Sequence, residues 1–273
     1  MNFGTIKPSF LIIGAQKGGT SSLHNFLIQH PKLIAPKIKE LHYFDTLGLT
    51  PPGPYLNYFP NGYFTSKISF EATPRYISYP GTAKKIFDFN PKMKFIVLLR
   101  NPVKRAYSAW NMYKQMENEK SRLKDFNNNE MKSPREKLYS LLYKNGFPTF
   151  EEWANIEMSE NFDKNIIEPS IIRRGYYKEQ IEVYLSYFKR EQFLFINSNV
   201  LKTDTENCLN IIANFLNISK FPIHLMNLSK KNKREYEEDM DETLYKKLMI
   251  LYCIKNKGLE ELTGLELEWM HPE

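Results

Sequence analysis

The chain has 273 residues, of which 42% are apolar and 25% are charged, a composition that supports a buried core and excludes a disordered, collagenous or coiled-coil protein. No stretch approaches about 18 consecutive apolar residues, so we expect no membrane span, and the apolar run at 10–13 is too short for a signal peptide. The net charge of +7 suits an anionic partner such as a nucleotide, a polysaccharide, nucleic acid or a membrane surface.

Short apolar runs alternate with amphipathic segments along the chain. Buried strands are predicted at 10–13, 93–99 and 192–196, and helices follow the first two strands and lie at about 178–189, 206–216 and 241–252. This alternation predicts an α/β fold: one P-loop-like domain over residues 1–273, with a central parallel sheet flanked by helices on both faces. The strands at 10–13 and 93–99 should be central, with their carboxyl ends at the functional site.

A glycine-bearing loop, Gly-Ala-Gln-Lys-Gly-Gly-Thr-Ser-Ser, joins the first strand to the first helix between Gly14 and Ser22. Backbone N–H groups at such a turn bind a phosphate, and the helix N-terminus favours negative charge. Thr20 stands where a nucleoside-triphosphatase loop carries its lysine, and the lysine of this loop is Lys17. The residues therefore predict a phosphate-binding loop without the Mg²⁺-holding arrangement, the alternative being an ordinary glycine-rich turn.

This loop resembles the 5′-phosphosulfate loop of sulfotransferases that use 3′-phosphoadenosine 5′-phosphosulfate (PAPS). Further segments, in the expected order, are similar to the heparan-sulfate-type branch of that family and its bacterial relatives: Lys-Glu-Leu-His-Tyr-Phe-Asp at 39–45, Glu-Ala-Thr-Pro-Arg-Tyr at 71–76, an Arg-Asn-Pro segment at 100–108 and Arg-Gly-Tyr-Tyr at 174–177. The resemblance implies sulfuryl transfer from PAPS to a hydroxyl or amine of a carbohydrate or small-molecule acceptor, with adenosine 3′,5′-bisphosphate as product.

The resemblance also implies a nucleotide site. Lys17 would stabilise the leaving phosphate, and the rest of the 5′-phosphate contacts would come from Gly18, Gly19, Thr20, Ser21 and Ser22. Arg100 and Ser108 would hold the 3′-phosphate, with Ser108 on the side of its helix shared with Lys104, away from a buried stripe. Tyr176 would contact the adenine end. A cationic loop would close over the nucleotide, unless it is a solvated charge run: Lys230, Lys231, Lys233 and Arg234.

The candidate general base is Glu40, since a carboxylate within reach of an acceptor hydroxyl takes its proton as the new bond forms. His42 is the alternative base or a donor at the acceptor site. Asp45 would orient His42 or a lysine. A surface role for Glu40 and a structural role for His42 stay open. The family often has a lysine where this chain has Ala72, and it is also open whether Arg75 replaces the charge of that lysine.

Two other function classes remain as alternatives, a P-loop small-molecule kinase and a non-enzymatic polyanion-binding protein. No metal-ligand spacing and no nucleic-acid motif is visible, so we expect a metal-independent protein without a nucleic-acid partner. Cys208 and Cys253 indicate buried thiols in a reducing compartment, and we expect a cytoplasmic protein. The oligomeric state is left open.

Overall fold

A computed structural model of the chain describes residues 7–45, 54–60, 66–118, 146–159, 170–229 and 240–271. The strands are β1 (Pro8–Gly14), β2 (Leu33–Ile34), β3 (Ile68–Ala72), β4 (Lys94–Leu99) and β5 (Phe193–Asn197). The helices are α1 (Thr20–Leu27), α2 (Thr82–Phe89), α3 (Pro102–Asn118), α4 (Phe150–Met158), α5 (Tyr177–Leu185), α6 (Val200–Thr203), α7 (Thr205–Leu216), α8 (Glu242–Lys255) and α9 (Leu259–Thr263).

The five strands form one parallel sheet in the order β2-β3-β1-β4-β5. This confirms the predicted fold class, with β1 at the centre and β4 beside it. The sequence patterns predicted β1, β4 and β5 but missed β2 and β3. β2 has only two residues, and the apolar pattern of β3 is interrupted by Ser69 and Glu71, both of which are buried. A buried polar residue hides a strand from a search for apolar runs.

Successive side chains of the sheet point to two apolar layers, as the pleat requires. On one face, Phe10 and Ile96 belong to a buried cluster with Leu27 of α1 and Leu209 of α7. On the other face, the ring of Phe95 lies with its centroid 5.5 Å from that of Tyr184 in α5. Helices therefore cover both faces, as predicted.

The chain divides into two compact units. The first takes its described residues from Met1–Arg100, Lys178–Arg234 and Gly258–Leu267, and it contains the whole sheet. The second takes them from Asn101–Tyr177, Glu235–Lys257 and Glu268–Glu273, and it contains α3, α4 and α8. A single domain over residues 1–273 stays a prediction.

In the second unit, side-chain hydrogen bonds hold residues 170–172, which lie shortly before Tyr176. The buried carboxylate of Glu157 accepts hydrogen bonds from Ser170 Oγ at 2.9 Å and from the backbone N–H of Ile172 at 2.8 Å. Tyr252 Oη donates to the carbonyl of Ile172 over 2.9 Å. These bonds pair backbone groups that regular secondary structure leaves without partners, and they fix the path of the chain toward Tyr176.

Within the described part of the chain, no helix combines the length and the apolar character needed to cross a membrane.

Candidate functional site

The loop after β1 turns tightly and leads directly into α1. Ala15 donates its N–H to the carbonyl of Leu98 in β4 over 2.8 Å, and Gly18 donates its N–H to the carbonyl of Ala15, also over 2.8 Å. A Cβ atom on Gly18 would lie 2.8 Å from the Ala15 oxygen and 3.0 Å from the Leu98 oxygen. Only glycine fits this turn without displacing backbone, so the loop requires the residue type that the phosphate-loop interpretation predicted.

The first turn of α1 supplies donors at this loop. The first helical hydrogen bond runs from the N–H of Leu23 to the carbonyl of Gly19 over 3.0 Å. The amides of the residues before Leu23 have no helical carbonyl to reach, and no acidic side chain occupies this turn. These amides and the hydroxyls of Thr20, Ser21 and Ser22 therefore form a set of donors suited to an anion.

Arg100 follows β4 and reaches the same loop. Its Nη1 donates to the carbonyl oxygen of Lys17 over 2.9 Å, across 83 residues of sequence. Lys17 has a left-handed backbone with φ 66°, and this hydrogen bond supports that turn. The structure thus brings together part of the predicted nucleotide site, namely Lys17, the glycines and hydroxyl residues that follow it, and Arg100.

The segment from Glu40 to Asp45 has irregular backbone, with positive φ at Glu40 (62°) and His42 (55°). The Glu40 carboxylate pairs with the ammonium group of Lys39, and its Oε2 lies 3.8 Å from His42 Nε2. The other ring nitrogen, His42 Nδ1, lies 2.9 Å from Asp45 Oδ2. Glu40, His42 and Asp45 therefore form a connected chain. Asp45 was expected to orient either His42 or a lysine, and it contacts His42.

Residues 71–76 hold this irregular segment in place. Glu40 donates its N–H to the carbonyl of Ala72 over 3.2 Å. Tyr43 donates its N–H to the hydroxyl oxygen of Tyr76 over 2.9 Å. Because β1, β3 and β4 are parallel, their carboxyl ends reach one edge of the sheet, and the phosphate loop, residues 71–76 and Arg100 all start there.

A buried ion pair completes the attachment. Arg75 Nε donates to Asp45 Oδ2 over 2.5 Å, and Arg75 Nη2 donates to the Asp45 carbonyl over 3.2 Å. Burial alone would raise the pKa of Asp45, but the hydrogen bonds from His42 and Arg75 and the charge of Arg75 outweigh it, so the pKa lies below its usual range. Asp45 is a carboxylate near neutral pH. The guanidinium of Arg75 pairs with Asp45, and its compensation for the family lysine that Ala72 replaces stays open.

Glu71, at the end of β3, is fully buried among hydroxyl groups. Tyr55 Oη donates to it over 2.5 Å, Tyr76 Oη over 2.9 Å, and Thr73 Oγ1 also donates to it. Desolvation raises the pKa of Glu71, and the three hydroxyl donors oppose that rise. Sequence reasoning read this glutamate only as part of a family segment. Its position at the end of a strand, followed closely by Thr73 and Tyr76, is the signal that would have found it.

His24, on α1, was also missed. It lies four residues after Thr20, on the same side of the helix one turn along. Burial lowers the pKa of His24 to about 4, and the nearby charge of Lys39 lowers it further while that of Glu40 opposes. The ring is therefore neutral near pH 7, next to the charges at the predicted catalytic segment.

The remaining predicted site residues are placed as follows. Ser108 and Tyr176 belong to the second unit, and their nucleotide roles stay predictions. Ser108 lies one turn after Lys104 on the same side of α3, and it is buried, whereas Lys104 is the exposed residue among 102–110. The four predicted loop cations lie outside the described residues: Lys230, Lys231, Lys233 and Arg234. Among the described residues, no cluster of three His, Cys, Asp or Glu side chains is placed to hold a metal ion.

Comparison with known proteins finds one family model that covers most of the chain. Residues 7–252 match the family model described as "Sulfotransferase domain". The solved structure of a sulfotransferase from Alicyclobacillus acidocaldarius superposes with a TM-score of 0.66 at 26% identity, covering 96% of this chain and 98% of that one.

Similar curated proteins include two from Mus musculus. Bifunctional heparan sulfate N-deacetylase/N-sulfotransferase 4 is 28% identical over 219 residues, which cover 78% of this chain and 22% of that protein. Heparan sulfate glucosamine 3-O-sulfotransferase 6 is 25% identical over 284 residues, covering 96% and 73%. The chain spans less than a third of the length of the bifunctional relatives that it matches.

Proposed function

The chain belongs to the sulfotransferase family, and we propose that it moves a sulfuryl group from PAPS to a hydroxyl or amine of a carbohydrate or small-molecule acceptor. The family match confirms the predicted enzyme class and the predicted donor, because PAPS is the sulfate donor of this family. It lends no support to the small-molecule kinase alternative.

The proposal rests mainly on one observation: Arg100 hydrogen-bonds the phosphate loop between β1 and α1. The tight turn at Gly18, the first-turn amides of α1 and the Arg100 guanidinium, which bonds the Lys17 carbonyl, lie at one edge of the sheet, and Lys17 belongs to the same loop. These groups fit a dianionic phosphate ester, since they provide positive charge and N–H donors with close backbone access. We propose that Gly18 and Gly19 with Thr20, Ser21 and Ser22 hold the 5′-phosphate, that Arg100 and Ser108 hold the 3′-phosphate, and that Tyr176 contacts the adenine end.

When bound, PAPS supplies the sulfuryl group, and adenosine 3′,5′-bisphosphate is the leaving group. Lys17 stabilises the negative charge that develops on the departing phosphate, as a positioned cation does in related group transfers. Glu40 accepts the proton of the attacking hydroxyl, and the ion pair with Lys39 together with the backbone bond to Ala72 holds its carboxylate in position.

A sugar hydroxyl or amine is the acceptor that we favour. Two relatives carry heparan sulfate in their names, one as an N-sulfotransferase and one as a glucosamine 3-O-sulfotransferase. The net charge of +7 supports an anionic carbohydrate. We further propose that the protein is cytoplasmic and works without a metal. The two described cysteines, both free thiols, support a reducing compartment.

Calorimetry with adenosine 3′,5′-bisphosphate, alongside ATP with Mg²⁺, tests the nucleotide site. We expect stoichiometric binding of the bisphosphate that persists at high salt, and no comparable binding of ATP. Equal binding of both, or binding lost steeply with salt as for a polyanion surface, contradicts the proposal. A screen with ³⁵S-labelled PAPS against glucosamine-containing oligosaccharides and small phenols or amines then identifies the acceptor class.

A further inference from the structure

We propose that Arg75 is a positioning residue that makes Glu40 and His42 act in series as a proton relay, rather than as alternative bases. The inference rests on the proposed function for its catalytic consequence, but its structural content, the state of the His42 ring, is independent of any activity. It assigns a role to residues 71–76, which sequence reasoning singled out without one.

The geometry starts from the buried carboxylate of Asp45. Its Oδ2 accepts from Arg75 Nε at 2.5 Å and lies 2.9 Å from His42 Nδ1, and Arg75 Nη2 also bonds the Asp45 carbonyl at 3.2 Å. The Asp45 side chain is fully buried, and that of Arg75 is 9% exposed. The guanidinium is thus held in a fork on one residue, where it supplies the positive charge that a buried carboxylate requires.

An ionised Asp45 dictates the tautomer of His42. A carboxylate only accepts hydrogen bonds, so the ring nitrogen that faces it, Nδ1, carries the proton. In the neutral ring, Nε2 then has the lone pair, and Nε2 is the nitrogen that lies 3.8 Å from Glu40 Oε2. The proton-accepting atom of His42 therefore faces the proposed base, at a distance that a small side-chain rotation or one water molecule spans.

Two proton transfers follow, and they balance. In the first, the O–H bond of the acceptor breaks as its oxygen attacks, and the proton goes to a carboxylate oxygen of Glu40. In the second, that proton leaves Glu40 and forms an N–H bond at His42 Nε2, which restores the Glu40 carboxylate. The resulting imidazolium lies between two carboxylates, those of Glu40 and Asp45, and it later releases its proton to water.

Charged groups on each neighbouring element shape this relay. Lys39 pairs with Glu40 on the same segment, and Arg75 from residues 71–76 pairs with Asp45. From α1, His24 interacts with both Lys39 and Glu40 and is neutral near pH 7. The lowered pKa of Asp45 agrees with a carboxylate that stays ionised through the pH range of the reaction. Removing the Arg75 charge therefore leaves a fully buried Asp45 without its cation.

The first test uses the unmodified protein and needs no substrate. Long-range ¹H–¹⁵N correlation spectra distinguish the two neutral histidine tautomers, and a His42→Gln variant assigns the His42 signals. We expect the neutral His42 ring to be the Nδ1–H tautomer. The Nε2–H tautomer, or an even mixture of the two, overturns the proposal whatever the enzymatic activity is.

The second test compares three variants by their pH–rate profiles. Arg75→Gln removes the charge, Arg75→Lys keeps the charge without the fork, and Arg190→Gln is a matched control. Arg190 is an arginine of the first unit that bonds the carbonyls of Leu262 and Phe193. We expect Arg75→Gln to lower kcat by at least about tenfold, to shift the acid limb of the profile to higher pH and to leave bisphosphate affinity intact. Arg75→Lys should restore part of kcat.

Arg190→Gln should lower thermal stability without moving the acid limb. An Arg75→Gln profile that superimposes on the unmodified one after scaling overturns the relay and leaves Arg75 with a merely structural role. If Arg75→Gln does not fold, Arg75→Lys and the His42 spectrum still decide. Failure of the proposed function has a different signature. The unmodified protein would then not bind adenosine 3′,5′-bisphosphate, although His42 would still be the Nδ1–H tautomer.

Discussion

The guanidinium of Arg100 hydrogen-bonds the carbonyl oxygen of Lys17 over 2.9 Å, which ties the end of β4 to the turn of the phosphate loop. Arg100 therefore supports the loop that would hold the 5′-phosphate, besides its proposed contact with the 3′-phosphate. A residue with both roles affects nucleotide binding in two ways, and the two are separable by experiment.

Arg100→Ala should weaken binding of adenosine 3′,5′-bisphosphate and, to a smaller extent, of adenosine 5′-monophosphate, because the loop loses its support along with the 3′-phosphate contact. Ser108→Ala should weaken the bisphosphate alone. Calorimetry with both ligands on both variants measures this difference. Equal losses for the two ligands in Ser108→Ala would remove Ser108 from the 3′-phosphate site.

Glu40→Gln keeps the shape of the side chain and removes the charge that accepts a proton. We expect turnover to fall by about 10²–10⁴-fold while bisphosphate affinity stays nearly unchanged. Lys17→Ala should reduce both quantities, because its charge faces phosphate before and during the reaction. The exposed Lys84, paired with Asp88 on α2, provides the control Lys84→Ala, which should change neither. Near-normal turnover in Glu40→Gln would exclude Glu40 as the first proton acceptor.

Gly18→Ala should abolish nucleotide binding and cost about 1–3 kcal/mol of stability, since the new Cβ would meet the carbonyl oxygens of Ala15 and Leu98. Gly81→Ala is the matched control. Gly81 has φ 75°, and a Cβ added there would have no atom within 4 Å, so its cost is the left-handed backbone alone, about 1–2 kcal/mol. Chemical denaturation and calorimetry give the two readouts. Intact nucleotide affinity in Gly18→Ala would refute the tight-turn argument.

Tyr76→Phe removes a hydroxyl that donates to Glu71 and accepts the N–H of Tyr43. The loss takes one of three hydroxyl donors from the buried Glu71 and removes the hydroxyl partner of the Tyr43 N–H. We expect stability to fall by about 1–3 kcal/mol, together with a lower kcat because the Glu40 segment loosens. Tyr184→Phe is the matched control, a fully buried tyrosine whose hydroxyl donates only to the Tyr76 carbonyl in the described contacts. It should lower stability with a smaller effect on kcat. Equal kcat in both variants would argue against the tether.

Stability should fall as the pH drops from about 6.5 toward about 4, because His24 has a pKa of about 4 when folded and 6.5 as its ordinary value. The unfolded chain binds a proton in that window and the folded chain does not, so acid favours unfolding there. His24→Asn should flatten this part of the curve of urea midpoint against pH. The exposed His224, changed to Asn, is the control. An unchanged slope in His24→Asn would show that His24 is not the group responsible.

Part of the site follows from local sequence alone. The turn after β1 depends on Gly18 and on hydroxyl residues next to it, and β1 and β4 are apolar runs that a parallel sheet buries. These features depend on neighbours within a few residues, so a pattern search recognises them, and it placed the loop between a strand and a helix. The same locality explains the correct prediction of an α/β fold.

Other features were decided only by the tertiary structure. The sequence did not reveal that Arg75 would pair with Asp45, 30 residues earlier, or that Glu71 would be buried among three hydroxyls. Nor did it show that Ser108 lies buried in α3. The physical reason is that a charged or polar side chain takes its partner from whichever segment the sheet brings beside it. Which segment lies beside it depends on the strand order β2-β3-β1-β4-β5, which places residues 71–76 next to the phosphate loop. The local sequence pattern of either segment does not indicate this strand order.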